Sequence, residues 1–406
     1  MSGAQDPGAL SYALSAPAAL EPPVELPELR QKCPVAQVTL PSGDTASLLT
    51  RYDDVRLALS DSRLSREGLS RPDAARIVAS ESGGIFNSPM ARALNAEGHE
   101  RWRRMVGKWF TARRMQALVP KIEATAERLL DGMLAHGHPA DLVTHLAFPL
   151  PVFVICDMLG VPESDRDDFK RWSDVFLNLS KYTPSEMDAA HRDFAAYMST
   201  LIAGKRTDPQ DDLLSELIAA TDAEGRPMSD GALAATGQAL LLAGHETTAG
   251  FITTMVAVLL ADRRRWERLL EDRSLIRSAV EEVLRFEPYA GFGMLRYVHE
   301  DTELPSGGAL SRGTTVVCSM AAANRDTSAF EGADDMDPGR TPNVHLAFGA
   351  GAHSCLGQPL ARTELQTVLG VLLRCLPTLD LAVDPADLRR VEGLVTTPLR
   401  ELPVRW

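Results

Sequence analysis

Residues 345–362 read HLAFGAGAHSCLGQPLAR and set one cysteine, Cys355, among three glycines. An apolar run precedes the glycines and leucines at helical spacing follow the cysteine, so Cys355 is predicted at or just before a helix start. The unpaired N–H groups and the dipole of a helix start favour a thiolate over a thiol. Glycines on both sides leave room for a bulky, flat group against the backbone. From these residues alone, Cys355 could equally be an ordinary cysteine buried in the core beside a glycine turn.

Three other kinds of site do not fit the spacing of the candidate residues. The run GAGAHS lacks the last glycine of a dinucleotide-binding loop. The run HETTA at 245–249 lacks the second histidine of a zinc-protease helix. A zinc ion at Cys355 would need more ligands than His353, its one near neighbour in sequence with suitable chemistry.

Composition narrows the class of protein. The 406 residues are 45% hydrophobic and carry a formal net charge of −13, which disfavours binding to nucleic acid or anionic membrane. Five singly spaced cysteines and an N-terminus without a basic signal-peptide region predict a cytoplasmic protein. Residues 231–261 are long and apolar enough to span a bilayer, but His245, Glu246 and Thr247 near their centre favour a helix buried inside the protein.

The hydrophobic periodicity is mostly helical. Helical patterns are predicted at 99–135, 141–159, 163–204, 211–221, 231–261, 263–272 and 274–286. Strands are expected on both sides of a Pro-Ser-Gly turn in 34–59, in 293–304 and 313–320, and near the end of the chain. Residues 1–30 are interpreted as a flexible lead-in, and residues 31–406 as a single domain.

The loop resembles the haem-thiolate loop of the cytochrome P450 monooxygenases. The matching positions are Phe348, Gly349, Gly351, His353, Cys355 and Gly357, followed by Leu360-Ala361-Arg362. The resemblance implies a mainly α cytochrome P450 fold, a triangular helical domain with small β-sheets that enclose haem b. It also implies that Cys355 is the thiolate ligand of the haem iron.

Three further groups of residues occur in the order that this family shows. Glu282 and Arg285 are three apart on one helix face, which alone is typical of a surface pair, and the resemblance adds Arg340 to form a structural lock. Ala243, Gly244, Glu246 and Thr247 resemble the oxygen-binding helix kink, in which Thr247 would hydrogen-bond dioxygen and Glu246 would help to relay protons to it. The third group would bind the haem propionates, by the same resemblance, and consists of His99, Arg103, Arg296 and His353. The resemblance also implies haem contacts by Phe348, Gly349 and Gly357.

The segment 99–115 is strongly basic in an otherwise acidic chain, and such a patch attracts acidic partners. By resemblance to soluble bacterial members, electrons from NAD(P)H would arrive through a ferredoxin reductase and a ferredoxin. The ferredoxin would dock near Arg104, Lys108, Arg113 and Arg114.

The predicted activity is insertion of one oxygen atom of O2 into a lipophilic small molecule, as a hydroxylation or epoxidation that tailors a natural product such as an antibiotic. By the resemblance, the substrate pocket includes Phe292, Met294, Leu295, Val395 and Thr396. Oxidative coupling or peroxide-driven oxidation on the same fold is an alternative. A haem-binding sensor or electron carrier is a weaker one, because it would not need Glu246 and Thr247.

Overall fold

The computed structural model describes residues 10–12, 14–77, 90, 93–94, 98–177, 182–287, 292–391 and 398–406. Most of these residues are helical, as the periodicity predicts. The α-helices are α1 Leu26–Lys32, α2 Tyr52–Ser60, α3 His99–Gly107, α4 Ala112–His136, α5 Pro149–Leu159, α6 Arg166–Leu177, α7 Pro184–Thr207, α8 Leu213–Ala219, α9 Asp230–Ala261, α10 Arg263–Glu271, α11 Ile276–Phe286, α12 Met320–Ala323 and α13 Gln358–Cys375.

Among the described residues, the strands are short and form three sheets. They are β1 Leu10–Ser11, β2 Val35–Thr39, β3 Thr45–Leu49, β4 Leu64–Ser65, β5 Ala140–Asp141, β6 Met294–Val298, β7 Thr302–Glu303, β8 Ala309–Leu310, β9 Thr315–Cys318, β10 Asp380–Leu381 and β11 Pro403–Arg405. The largest sheet has the order β1-β2-β3-β9-β6-β4, and the others have the orders β10-β11-β5 and β7-β8.

The chain divides into two compact units. The first unit contains Met1–Ser88, Ser274–Cys355 and Asp384–Leu399, and the second contains Pro89–Arg273, Leu356–Val383 and Arg400–Trp406. The single domain expected over residues 31–406 stays a prediction.

The six-stranded sheet organises the first unit. β2 and β3 pair as the antiparallel hairpin predicted around the Pro-Ser-Gly turn, with Val35 opposite Leu49. β9 lies parallel to β3 and antiparallel to β6, and this pairing sets Arg296 opposite Val316. Apolar side chains of these strands form the core of the unit.

The described residues of the N-terminal segment contribute to this unit, and the flexible lead-in expected over residues 1–30 stays a prediction. β1 pairs in parallel with β2, and the next residue, Tyr12, is buried. The Tyr12 hydroxyl donates a hydrogen bond of 2.8 Å to the carbonyl oxygen of Phe292, and the two rings meet edge to face. A partner 280 positions away along the chain is not visible in local composition.

The long helix α9 organises the second unit. Ser229 caps its N-terminus by accepting a hydrogen bond from the Ala232 N–H. α9 packs against α5, α7 and α13, and its residues 248–260 are buried all round. Across the part of the chain that the structure describes, no helix combines the length and apolarity needed to cross a membrane.

Two predicted helices are in fact interrupted. The pattern over 99–135 is broken between α3 and α4, where the Thr111 side chain accepts from the Arg114 N–H and starts a new helix. The pattern over 163–204 is divided between α6 and α7, and Thr183 and Glu186 form a capping box at the second start. Periodicity continued through both breaks, because a cap changes the backbone without changing the apolar spacing.

Candidate functional site

The cysteine loop in the first unit is held by hydrogen bonds that its backbone N–H groups donate. The Cys355 N–H donates to the carbonyl oxygen of Phe348 at 2.8 Å, and the Leu346 N–H donates to Asn324 Oδ1 at 2.7 Å. Gly349 and Gly351 have φ angles of 68° and 71°, which side-chain-bearing residues rarely adopt. The loop therefore turns back on itself and leaves Cys355 exposed.

The two left-handed glycines serve different purposes. A Cβ atom at Gly351 would lie 2.6 Å from the Cα of Ser60, so α2 approaches the backbone at that point. A Cβ atom at Gly349 would meet nothing nearer than 4.0 Å. Space for a flat group is therefore supported at Gly349, while Gly351 is required by packing within the protein. α13 begins at Gln358, three residues after Cys355.

An ion-pair network lies beside this loop. Glu282 and Arg285 on α11 are fully buried, and the guanidinium donates two hydrogen bonds of 2.8 Å to the carboxylate. Arg340 Nε donates to the same carboxylate at 3.0 Å. The three residues expected to form a structural lock are thus in direct contact, and the pair that resembled a surface pair is in the core.

Asparagines that the motif search did not single out as site residues complete this network. Asn343 donates to Glu282 at 3.0 Å, and the Asn324 carbonyl accepts from Arg285 at 2.8 Å. Asn324 also holds the start of the cysteine loop through Leu346. In the sequence, Asn324 lies in the run ANRD at 323–326, which does not reveal the partners of its side chain.

Arg296 on β6 is a buried cation. Its side chain donates a hydrogen bond of 2.8 Å to the carbonyl oxygen of Leu295. None of the described carboxylates forms an ion pair with it. Burial lowers the pKa of Arg296, because desolvation disfavours the charged form. A buried guanidinium without a counter-charge is costly unless an anion pairs with it. His353 lies in the same unit, in the short 3-10 turn Gly351–His353.

In the second unit, one face of α9 is incompletely buried, in contrast to the residues that follow. The residues of this face are three or four positions apart, namely Ala239, Leu242, Ala243, Glu246 and Thr247. Thr247 Oγ1 donates to the Ala243 carbonyl at 2.8 Å, as expected for a threonine inside a helix. The missing Cβ of Gly244 makes room for Ile155 of α5, which lies 2.9 Å from where that atom would be.

His245 lies between these residues and is fully buried. Its Nδ1 is 2.6 Å from Ser173 Oγ on α6, and its Nε2 is 3.1 Å from the Phe148 carbonyl oxygen. Burial lowers the pKa of His245 to about 4, so the ring is neutral at neutral pH. The sequence marked this residue as polar but offered no sign of its partners.

α3 carries the predicted propionate ligands of the second unit. His99 and Arg103 are one turn apart and half-buried. Trp102, between them, donates 2.9 Å to Thr236 Oγ1 and so attaches α3 to α9. The expected pair therefore lies on a helix that is fixed to α9.

The basic segment is less uniform than its sequence indicates. Arg114 is paired with Glu216 and stacks on Trp109, and Arg101 is paired with Asp222 at 2.6 Å. Three basic residues of the segment are exposed and form no ion pair with a described carboxylate, namely Arg104, Lys108 and Arg113. Three of the four predicted docking residues thus present unpaired charge to solvent.

The predicted pocket residues of the first unit face different neighbours. Phe292 and Leu295 are buried in the hydrophobic cluster that contains Tyr12. Met294 is partly buried and packs against a different hydrophobic cluster, which contains Val298. Val395 and Thr396 lie outside the described residues.

Comparison with known proteins identifies the family. The profile of the cytochrome P450 family matches residues 21–399. The chain is a cytochrome P450. It is 42% identical to the mycinamicin IV hydroxylase/epoxidase of Micromonospora griseorubida over 93% of this chain and 94% of that protein. It is 39% identical to the nocardicin C N-oxygenase of Nocardia uniformis subsp. tsuyamanensis over 98% of both chains. The solved structure of the mixed-function P450 MycG is 40% identical and superposes with a TM-score of 0.90 over 98% of this chain and all of that one.

These relatives confirm the predicted family, the mainly helical fold and the haem-dependent monooxygenase activity of this P450. Members of the family hold haem through a cysteine thiolate and use dioxygen. The described residues fit such a group in two respects. Cys355 is an exposed thiol on a loop with space at Gly349. Arg296 is a buried cation with no carboxylate partner among the described residues, which a haem propionate would supply.

Proposed function

We propose that this cytochrome P450 binds haem iron through the thiolate of Cys355 and oxidises a lipophilic natural product. The exposure of Cys355 on a closed glycine loop is the observation that carries the proposal. When bound, the haem activates dioxygen so that one oxygen atom enters the substrate and the other leaves as water. By the family pattern, the residues that would hold the haem propionates are His99, Arg103, Arg296 and His353.

Glu246 and Thr247 would deliver protons at the incompletely buried face of α9. Because the Thr247 hydroxyl already donates to the Ala243 carbonyl, its oxygen lone pairs are available to accept a hydrogen bond on the exposed side. The Glu246 carboxyl precedes it on the same face and is the group able to carry protons to that side. Replacing Thr247 by alanine would then increase the electrons consumed per product formed.

Electrons would arrive from NAD(P)H through a reductase and a small acidic ferredoxin. The exposed cations Arg104, Lys108 and Arg113 support a docking site for such a partner, while Arg114 is occupied by Glu216. Reversing each of the three to glutamate would lower ferredoxin-supported turnover most at low salt. Arg192→Glu on α7 is a matched control with the same charge change at another exposed position.

The substrate class is inferred from the relatives. One relative is named for mycinamicin IV and another for nocardicin C. The match to this chain covers nearly the whole length of both relatives. The pocket residues proposed from the family pattern are apolar, namely Phe292, Met294 and Leu295, which suits a lipophilic substrate. Mycinamicin IV is therefore the first compound to test for a shift of the haem spin state. Activity with peroxide alone would instead favour the peroxide-driven alternative.

The reduced carbon monoxide spectrum tests the iron ligand directly. A thiolate-ligated haem gives a strongly red-shifted Soret band, which Cys355→Ser should abolish. Cys375→Ser is the matched control, because Cys375 is also exposed but lies at the end of α13. A normal band in the Cys355 variant would refute the ligand assignment.

A further inference from the structure

His245 connects the helix that carries Glu246 and Thr247 to two other elements. Its ring lies between Ser173 of α6 and the Phe148 carbonyl, one residue before α5 begins. The Phe148 ring also meets the imidazole edge to face, with centroids 4.2 Å apart. All of these residues belong to the second unit.

The hydrogen-bond partners define the tautomer of the ring. A carbonyl oxygen can only accept, so the Nε2 atom of His245 carries the hydrogen and donates to Phe148. Nδ1 is then an acceptor, and the Ser173 hydroxyl donates to it. Both nitrogens are occupied, and the neutral ring has no proton to pass to Glu246. Adjacency in sequence to the proton-carrying residue therefore does not make His245 part of a relay.

We propose that His245 is a positioning residue that fixes the rotation of α9 at Glu246 and Thr247. This rests on the proposed function, since it concerns the residues that would deliver protons. Successive side chains of a helix are about 100° apart, so holding the buried ring sets the direction of the exposed face. Gly244 adds a second restraint, because Ile155 of α5 lies close against the same turn.

The restraint matters because proton delivery depends on geometry. A misplacement of about 1 Å can cost about a hundredfold in rate. Thr247 and Glu246 lie within two positions of His245, so loosening its ring would change their direction before it disturbed distant parts of the helix. A histidine that merely fills the core would instead affect global stability alone.

The experiment uses the haem-loaded full chain and three variants. Ser173→Ala removes the bond at Nδ1, and His245→Phe removes both bonds but keeps an aromatic ring. His245→Gln retains a donor and an acceptor and serves as the conservative rescue. Thr253→Val is the matched control, because it removes another buried hydroxyl bond of α9, that to Ala249, without touching α6.

Hydrogen exchange of the amides of 243–247 measures the local restraint. Ser173→Ala should speed exchange there about three- to tenfold, as expected for one lost hydrogen bond. His245→Phe should exceed this, His245→Gln should lie nearer the parent, and Thr253→Val should leave these amides within about twofold. The double variant Ser173→Ala with His245→Phe should show the same exchange rates as His245→Phe alone, since both substitutions act through one ring.

The infrared stretch of carbon monoxide on the reduced haem reports the surroundings of the probe without any substrate. It should broaden or shift in Ser173→Ala and His245→Phe and stay unchanged in Thr253→Val. If both variants match the Thr253 control in exchange and in the carbon monoxide band, the positioning role is refuted. A parent lacking the red-shifted Soret band would refute the proposed iron ligand instead, and the exchange result would still decide the role of His245.

Discussion

Replacing Glu282 with glutamine would measure how far the ion-pair network stabilises the first unit. Glu282 is fully buried and its carboxylate accepts five hydrogen bonds, from Arg285 twice and from Arg340, Asn343 and the Asp337 N–H. Glutamine keeps the volume, but it removes the charge and turns one acceptor into a donor that faces other donors. Breaking a buried pair by removing one partner costs about 3–5 kcal/mol. The free energy of unfolding should fall by about that amount.

Urea unfolding followed by circular dichroism is the assay, with the midpoint and the slope fitted separately. Glu281→Gln is the matched control on the same helix. Its carboxylate bonds to His345 at 3.0 Å and remains 19% exposed, so a loss of about 1 kcal/mol is expected. Glu282→Asp keeps the charge and should fall between these values, which covers the case in which Glu282→Gln does not fold. The reasoning is refuted if Glu282→Gln unfolds within about 1 kcal/mol of the parent.

Three further predictions concern single residues. Both carboxylate oxygens of Glu364 are buried, and none of the described residues forms a hydrogen bond with them. Burial raises the pKa of Glu364 well above its ordinary value, so the free energy of unfolding falls as pH rises above the ordinary pKa of a glutamate. Glu364→Gln should therefore be more stable than the parent at pH 8, and equal urea midpoints would contradict this. The pKa of His245 is lowered to about 4, so the parent should lose about 2 kcal/mol between pH 7 and pH 5 relative to His245→Gln in the same assay. Gly351→Ala should destabilise the chain by at least about 2 kcal/mol, because its Cβ would lie 2.6 Å from Ser60 Cα. Gly349→Ala, with a similar φ but open space, should cost only about 1 kcal/mol, and equal losses would show that the contact does not matter.

Much of the fold was accessible from local pattern. The hairpin of β2 and β3 follows from two apolar runs around a Pro-Ser-Gly turn, and α9 follows from 31 nearly uncharged residues. These features depend on backbone preference and side-chain period, which are set within a few residues. The breaks before α4 and α7 were missed because caps preserve the apolar spacing.

The candidate site divides in the same way. The glycine spacing around Cys355 and the three-residue spacing of Glu282 and Arg285 were readable directly. Their surroundings were not, because burial depends on what packs against a helix. The sequence alone makes Glu282 a member of an ordinary surface pair, and the fold surrounds it with five donors.

The sequence by itself determined the family of this protein and its helical character, and it supplied the residues that are proposed to bind haem and move protons. The tertiary structure alone decided that Tyr12 supports Phe292, that Glu216 neutralises Arg114 and that Ser173 holds His245. These partners are 280, 102 and 72 positions apart. Contacts at such separations form only when whole helices and strands pack, and no local periodicity encodes which side chains will then meet.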